Sequence, residues 1–413
     1  MGKIIQMGKE VGDSNIIISK LNAGEEDRKT FNQIKILFVS HESDIGGATI
    51  SLINMIQGLR NYNNIDVWVL IPYKKWNKGR AFKLLESNGI NYKEIWYRRN
   101  YKSISEKYSL KYYILDFLNM FSVKRIQKFI KQVKFDIICS NSTGVDVGAR
   151  AAQIAKVPHI YYVREFMKAD HNSEYRNKKR MKSLLETSDY VIFISKAIEG
   201  YYTTNYNLQN TIQFFDGFTL QDYYIKKHDI LIEEEISFIQ SGSFTDGKGT
   251  LNTIKMLYQL NQRGIKNWKM EFVGAGAKEY IQKMKNLISK YHLESQVVIG
   301  EFCMDMKTKL SQKDILIMNS RAEGFGRVTV EGMLAGCLVI GRYSSGTSEI
   351  IMNQINGIAF EREDEFINTI YRITVDREKY KRLARDGQKY AMKTFDCVNT
   401  ATNFTRVVEE CLR

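Results

Sequence analysis

Along the chain, short apolar runs alternate with longer stretches in which apolar residues recur every third or fourth position. Runs at 34–39, 67–71, 135–140, 158–163 and 190–195 read as strands, as do those at 236–240, 270–273, 297–299, 315–318 and 338–340. Between them the period lengthens. Ile50, Ile53, Ile56 and Leu59 form one helical face, and Val330, Met333 and Leu334 form another. Short apolar strands separated by amphipathic helices predict a parallel sheet with helices on its faces. The pattern occurs twice, on either side of residues 218–235, which turn polar and then acidic at Glu233, Glu234 and Glu235 and read as a linker. Residues 1–33 mix charge and polarity and read as an extension, and helical spacing returns from 379 to the end. The expectation is an α/β chain with two domains of this parallel-sheet kind, 34–217 and 236–385, and a terminal helix over 386–413.

Ligands of parallel sheets bind beyond the carboxyl ends of the strands, and the turns at those ends carry this chain's chemistry. After the run 315–318 come Glu323, Gly324, Phe325 and Gly326, then a helix. The glycines let the backbone approach a ligand closely. The first helical amides beyond them lack partners and favour an anion. A carboxylate, Glu323, beside an anion-favouring turn suits a ligand that carries hydroxyls next to phosphates. Glu331 lies at the edge of the buried stripe of that helix and needs a partner, because an unpaired buried carboxylate is costly. A second glycine turn, Gly346-Thr347, is followed by Glu349. The loop after 236–240 holds Gly242, Ser243 and Lys248, and a lysine in a glycine-rich turn is a phosphate ligand by simple electrostatics. In the first half, Gly46-Gly47 precede a helix, where paired glycines suit phosphate contact or close approach of an acceptor. Arg164 and Glu165 end the run 158–163 and are candidates for substrate contact or a structural ion pair.

The stretch from Glu323 to Glu331, two glutamates with seven residues between them, resembles the signature of the retaining glycosyltransferases of family four. Ser320-Arg321 before it, Ala335-Gly336 after it and Gly346-Thr347-Ser348-Glu349 at the right distance strengthen the likeness. The resemblance implies two Rossmann-like domains facing across a cleft, the GT-B architecture, with the final helix crossing back onto the first domain. It implies a nucleotide-diphosphate-sugar donor on the second domain, with Lys248, Gly346, Thr347 and Glu349 beside the diphosphate and Glu331 on the ribose hydroxyls. Glu323, with the amides of Gly324, Phe325 and Gly326, would hold the transferred sugar, and residues 300–302 lie near where related enzymes hold the base. Gly46-Gly47 match the family's first glycine loop. Two positions depart from the pattern. Ser243 stands where an arginine is usual, leaving Lys248 as the main cation, and Arg164 stands where many members carry a histidine.

No Asp-x-Asp pair is present, so neither a metal nor any cofactor beyond the donor is expected. By resemblance, the donor phosphate takes the acceptor proton. The implied activity is hexosyl transfer to a glycan or lipid-linked glycan acceptor in surface polysaccharide synthesis. Three rivals are weighed against it. A catalytically silent partner subunit lacks support, since Glu323, Glu331 and Lys248 are all present. A nucleotide-dependent oxidoreductase needs a glycine pattern that residues 41–48 do not supply. A nucleic-acid binder would explain the charge, but no reader motif accompanies it.

Composition adds a location. Five cysteines lie scattered along 413 residues without close pairs, as suits a reducing cytoplasm. No apolar run approaches the roughly 18 residues of a membrane span, and the first residues lack the apolar core of a signal peptide. The net charge of +15 is uneven: residues 1–220 hold 33 Lys and Arg against 21 Asp and Glu, and the remainder 28 against 25. The excess gathers in a basic, aromatic segment containing Trp76, Lys78, Trp96, Tyr97, Arg98, Arg99, Tyr101 and Lys102. It continues in a helical stretch near 110–133 with Lys124, Arg125, Lys128 and Lys131. An anionic membrane surface on the cytoplasmic side is the expected partner, and nucleic acid is not.

Overall fold

The computed structural model describes residues 33–74, 79–226 and 229–413. The extension before residue 33 and the basic-segment residues Trp76 and Lys78 lie outside that range. In chain order the strands are β1 (Ile34–Ser40), β2 (Ile65–Pro72), β3 (Asn91–Ile95), β4 (Tyr101–Ser103), β5 (Ile137–Asn141), β6 (His159–Val163), β7 (Ser173–Tyr175), β8 (Tyr190–Phe193) and β9 (Thr211–Gln213). They continue with β10 (Ile236–Ser241), β11 (Trp268–Val273), β12 (Val297–Gly300), β13 (Ile315–Met318), β14 (Leu338–Arg342) and β15 (Ile358–Phe360). The helices that bear on the site are α1 (Gly47–Leu59), α2 (Leu110–Val133), α3 (Lys196–Asn205), α4 (Arg327–Ala335), α5 (Ser345–Ile350), α6 (Arg377–Thr394) and α7 (Cys397–Leu412).

Each half is a wholly parallel sheet. The first has seven strands in the order β3-β2-β1-β5-β6-β8-β9, and the second has six in the order β12-β11-β10-β13-β14-β15. The expected α/β class with two Rossmann-like sheets is what the chain adopts. In both, the strand order reverses beside the first strand, between β1 and β5 and between β10 and β13. Those are the switch points where a crevice opens at the carboxyl ends. Central strands such as β1 and β13 are buried on both faces and therefore read as continuous apolar runs. The apolar pattern did not reveal β3, β9 or β15. β3 alternates exposed and half-buried positions at a sheet edge, and β9 and β15 are three residues each. The antiparallel pair β4-β7 stands apart from both sheets.

The chain crosses between halves twice, side by side. Phe218 donates its amide to the Phe395 carbonyl at 2.7 Å, and Cys397 donates to the Phe218 carbonyl at 3.0 Å. The helical spacing from 379 onward is broken here, because Asp396 caps a new helix by accepting from the Val398 amide. Residues 386–394 therefore belong to α6, which packs on α4 and β14, and α7 packs on α1. That packing is close: a Cβ on Gly58 of α1 would lie 2.4 Å from the Cys397 carbonyl oxygen. Phe215, Phe325 and Phe395 meet at the crossing with ring centroids 5.4–5.7 Å apart, which joins both halves in one apolar core.

The halves also touch at Gly324, where a Cβ would lie 2.6 Å from the Arg164 carbonyl oxygen. Its φ is outside the left-handed region, so the restriction is steric. Gly324→Ala should destabilise the closed arrangement by about 1–3 kcal/mol through overpacking, read as a lower urea midpoint. An unchanged midpoint would show that this contact carries no constraint.

His159 is buried on β6, with its ring nitrogens 2.9 Å from the hydroxyls of Ser140 and Ser188. Burial pushes its pKa down to about 3. Its folded value lies below its unfolded one, near 6.5, so its stabilisation is intact above pH 6.5 and lost as pH falls toward 3. This one group should give a slope of about 1.4 kcal/mol per pH unit in that window. Urea midpoints measured from pH 4 to 8 should show a flatter acid limb for His159→Gln than for the wild type.

Candidate functional site

The second-half wall of the cleft is built from three loops at the carboxyl ends of β10, β13 and β14. The loop after β10 turns at Gly242, whose φ of 142° falls in the region that favours glycine. It closes in a short 3-10 turn, Asp246–Lys248. Gln240 donates to the Lys248 carbonyl at 2.7 Å, and Arg321 donates its amide to the Gly247 carbonyl at 2.8 Å, so this loop is tied to the one after β13. Gly249, at φ 68°, comes so near the Asn319 carbonyl that a Cβ would lie 2.1 Å from its oxygen. The result is that Lys248 Nζ donates to Glu323 Oε1 at 2.6 Å. Two residues 75 positions apart, each singled out from the sequence, form an ion pair in the crevice. Ser243, where an arginine was usual, is exposed just beyond Gly242.

The turns at 323–326 and 344–347 lie backbone on backbone. Gly346 donates its amide to the Glu323 carbonyl at 3.0 Å, and a Cβ there would sit 2.6 Å from the Phe325 oxygen. Gly326, at φ 94°, starts α4. Ser345 also has a positive φ, 41°, unusual for a residue with a side chain. The Thr347 and Thr329 hydroxyls, near Gly326, are buried without a hydrogen-bond partner. The Phe325 ring belongs to the interdomain aromatic cluster, so only its backbone is free to face the cleft. Phe302, just past β12, is about half exposed, with the Arg80 guanidinium 5.8 Å from its ring centroid.

Glu331 is buried, as its place on the stripe predicted, and its partner is Arg327, one turn earlier on α4, at 3.5 Å. Burial pushes its carboxyl up, and Arg327 opposes that. Arg327 also donates to Ser51 Oγ of α1 at 2.8 Å and to the Tyr223 hydroxyl at 3.2 Å, and it stacks 4.3 Å from the Phe218 ring centroid. Its role had not been anticipated. The available signal was a cation in the first turn of a helix, where the dipole disfavours it; such a placement calls for partners elsewhere.

On the first-half wall Arg164 and Glu165 take structural places, the second of the two readings open to them. Arg164 is sequestered in a buried ion pair with Asp216, donates through Nε to Asn141 Oδ1 at 2.8 Å, and lies 4.1 Å from the Tyr162 ring centroid. Glu165 Oε1 accepts from Ser142 Oγ, the Thr143 amide and Thr143 Oγ1 at 2.6–2.8 Å. These side chains brace the wall from behind and offer little to an acceptor. Glu349, expected beside the donor, instead reaches across the cleft and accepts from the Lys196 and Ala197 amides at 2.8 Å each, capping α3 of the other half.

Gly46-Gly47 stand where expected, at the start of α1, but the space left by Gly46 is occupied by a carboxylate. A Cβ there would lie 2.6 Å from Glu42 Oε1. Glu42 accepts from Thr49 Oγ1 at 2.9 Å, with Arg99 at 4.0 Å, and burial pushes its carboxyl up. Gly47 faces Arg327 across the cleft, a Cβ there being 3.6 Å from Arg327 Cδ. Glu42 was not singled out from the sequence. An acid inside the loop before the paired glycines was the only signal. The segment Trp96 to Lys102 turns inward in part: Tyr97 is buried and Lys102 pairs with Glu174 at 2.7 Å, whereas Arg98 and Arg99 stay exposed, Arg99 donating to the His41 carbonyl at 3.2 Å.

Comparisons with known proteins agree with this architecture. The family model described as Glycosyltransferase Family 4 matches residues 45–213, and that described as Glycosyl transferases group 1 matches residues 224–390. An uncharacterized glycosyltransferase of Methanocaldococcus jannaschii is 24% identical over 269 residues, covering 64% of this chain and 72% of the relative. Among solved structures, HepE of Anabaena in complex with UDP superposes with a TM-score of 0.73 at 20% identity, over 91% of this chain and all of that one. HepE is also known in complex with UDP-glucose. A glycosyltransferase from Rickettsia africae superposes with a TM-score of 0.74 at 15% identity, over 93% of this chain and all of that one. Parallel sheets facing across a cleft, a glutamate in the turn before α4 with a second one inside it, and both family matches converge: the chain belongs to the group 1 glycosyltransferases, with the two-domain GT-B fold.

Proposed function

We propose that this glycosyltransferase is retaining and moves a hexosyl group from a nucleoside-diphosphate sugar to a hydroxyl of a glycan, in particular a lipid-linked glycan of surface polysaccharide synthesis. The observation that carries the reading is the Lys248–Glu323 pair, at 2.6 Å between the carboxyl ends of β10 and β13. A cation and a hydroxyl-accepting carboxylate side by side suit a phosphate joined to a sugar. In this reading Lys248 shifts onto the diphosphate when donor arrives, and Glu323 is freed to accept from the sugar hydroxyls. The Gly324, Phe325 and Gly326 backbone lines the sugar, and the Gly346-Thr347 turn borders the phosphates. Glu331 accepts from the ribose, with Arg327 as its counter-charge. The exposed ring of Phe302 offers a face to the base. That HepE is known with UDP and UDP-glucose makes UDP-glucose the first donor to try.

The bond from the anomeric carbon to the diphosphate oxygen breaks, and the bond to the acceptor oxygen forms on the same face. The acceptor proton passes to the departing diphosphate. Lys248 and the turn amides stabilise the developing charge, so no divalent cation is required. The Glu42 carboxylate at the start of α1 disfavours a second phosphate there and suits an acceptor hydroxyl. The enzyme works on the cytoplasmic side, at the membrane surface.

Glu323→Gln should lower turnover on the order of a hundredfold or more if it acts mainly in the transition state. Glu331→Gln should act on donor affinity, removing a charge-assisted hydrogen bond of about 1.5–3 kcal/mol. The measurement is nucleoside diphosphate released from a panel of nucleotide sugars, with and without lipid-linked acceptors. Wild-type kinetics in both variants would sink the assignment, and inversion at the anomeric carbon of the product would overturn the retaining mechanism.

Lys248→Ala should depress turnover more than it weakens binding of free nucleoside, because its charge is needed at the phosphates. A chelator should leave the wild-type rate unchanged. Activity that a chelator abolishes and magnesium or manganese restores would refute the metal-independent reading.

A further inference from the structure

We infer that the outward face of α2 is a docking surface for an anionic lipid bilayer. The helix buries one stripe, with Tyr112, Asn119, Val123, Ile126 and Ile130 turned to the core. The opposite stripe changes character halfway along. In its first three turns Leu110, Tyr113, Ile114, Phe117, Met120 and Phe121 are each at least half exposed. From there the same stripe is basic: steps of seven residues lead from Leu110 and Phe117 to Lys124 and Lys131, and from Ile114 and Phe121 to Lys128. Seven residues are close to two helical turns, so these side chains lie in line.

Single exposed apolar residues are ordinary, whereas a contiguous row of them marks an interaction surface. This row is contiguous. Phe117 and Phe121 pack edge to face at 5.3 Å, and Tyr108 and Tyr113 at 4.9 Å. The stripe carries no acidic side chain. Asp116, the one acid within α2, turns aside to pair with Arg176 and Arg180.

Chemistry selects the occupant. An apolar end dips below lipid headgroups while lysines on the next turns meet their phosphates, the arrangement of interfacial helices. A second copy makes less use of the face, because a twofold axis through its apolar end buries the rings but leaves the lysines with no acid to pair. The +12 balance of residues 1–220 supplies long-range attraction to an anionic surface. The face is one layer from the cleft. Asn119, on the buried side of α2, exchanges hydrogen bonds at 2.9 Å with the backbone of Arg98, next to Arg99 on the Glu42 wall. A docked bilayer would thus border the acceptor side of the site.

This inference names the surface behind the proposed membrane-side location, and its test needs no catalysis. The full chain is floated with vesicles of phosphatidylcholine alone or mixed with phosphatidylglycerol, at low and high salt. Binding should require the anionic lipid and weaken with salt. It should fall at least tenfold in Phe117→Ser/Phe121→Ser and in Lys124→Glu/Lys128→Glu, but not in Lys285→Glu/Lys290→Glu. Tryptophan in Phe117→Trp should shift to the blue on mixed vesicles and be quenched by lipids brominated on their acyl chains. Cleavage of UDP-glucose without vesicles should be unchanged in Phe117→Ser/Phe121→Ser, so loss of docking and failure of the catalytic reading are told apart. No flotation with the anionic lipid, equal flotation of the α2 variants, or a dimer that Phe117→Ser/Phe121→Ser dissolves would each overturn the inference.

Discussion

The buried ion pair between Arg164 and Asp216 holds the first-half wall of the cleft in place. Both side chains are 4% exposed. Through one guanidinium the end of β6 is tied to Asp216, which lies two residues before the crossing at Phe218. Through Asn141, which donates to the Ala48 carbonyl, it is also tied to the end of β5 and the start of α1. Breaking such a pair by removing one partner costs about 3–5 kcal/mol, because the other charge is left buried. The carbonyl of the same arginine meets Gly324 of the opposite half. The position of the glycine turn relative to the first sheet therefore depends on a side chain buried within the first half.

On the other wall, charge is distributed by backbone geometry. Gly242, Gly249 and Gly326 take positive φ, and Gly346 stacks directly on the Phe325 backbone, so three loops fit into a space that side chains would fill. That crowding brings Lys248 and Glu323 into contact. Arg327 illustrates the opposite balance. A cation in the first turn of a helix is disfavoured by about 0.3–1 kcal/mol, yet here Glu331, Ser51, Tyr223 and Phe218 surround it. These partners come from both halves and the crossing segment, and they make Arg327 a bridge across the cleft.

The positive charge of the first half is divided by burial. Residues 96–102 look basic and aromatic in sequence, yet Tyr97 and Lys102 face inward and Arg99 joins the cleft wall. Part of the exposed excess lies on α2, where the core-facing stripe left a second stripe free to carry apolar rings and then lysines.

The sequence alone was enough for the class of fold, the two sheets and most of their central strands. Buried parallel strands must be apolar throughout, and the helices between them must be apolar on one side. It also pointed to Lys248, Glu323 and the glycine turns, because each lies at a strand end beside residues whose local chemistry is unusual, and to Glu331, a carboxylate on the buried stripe of the helix that follows. Tertiary structure alone decided which carboxylates face the cleft and which are consumed in holding it. Glu349 and Glu165 match the expected loops but are spent on amides and hydroxyls brought from elsewhere. Glu42 and Arg327 enter the site because α1 and α4 meet end to end across it. Local sequence carries the period of an element and the conformational freedom of a turn. It does not carry the identity of the distant atom that will satisfy a buried charge, and for these residues that distant atom determines the role.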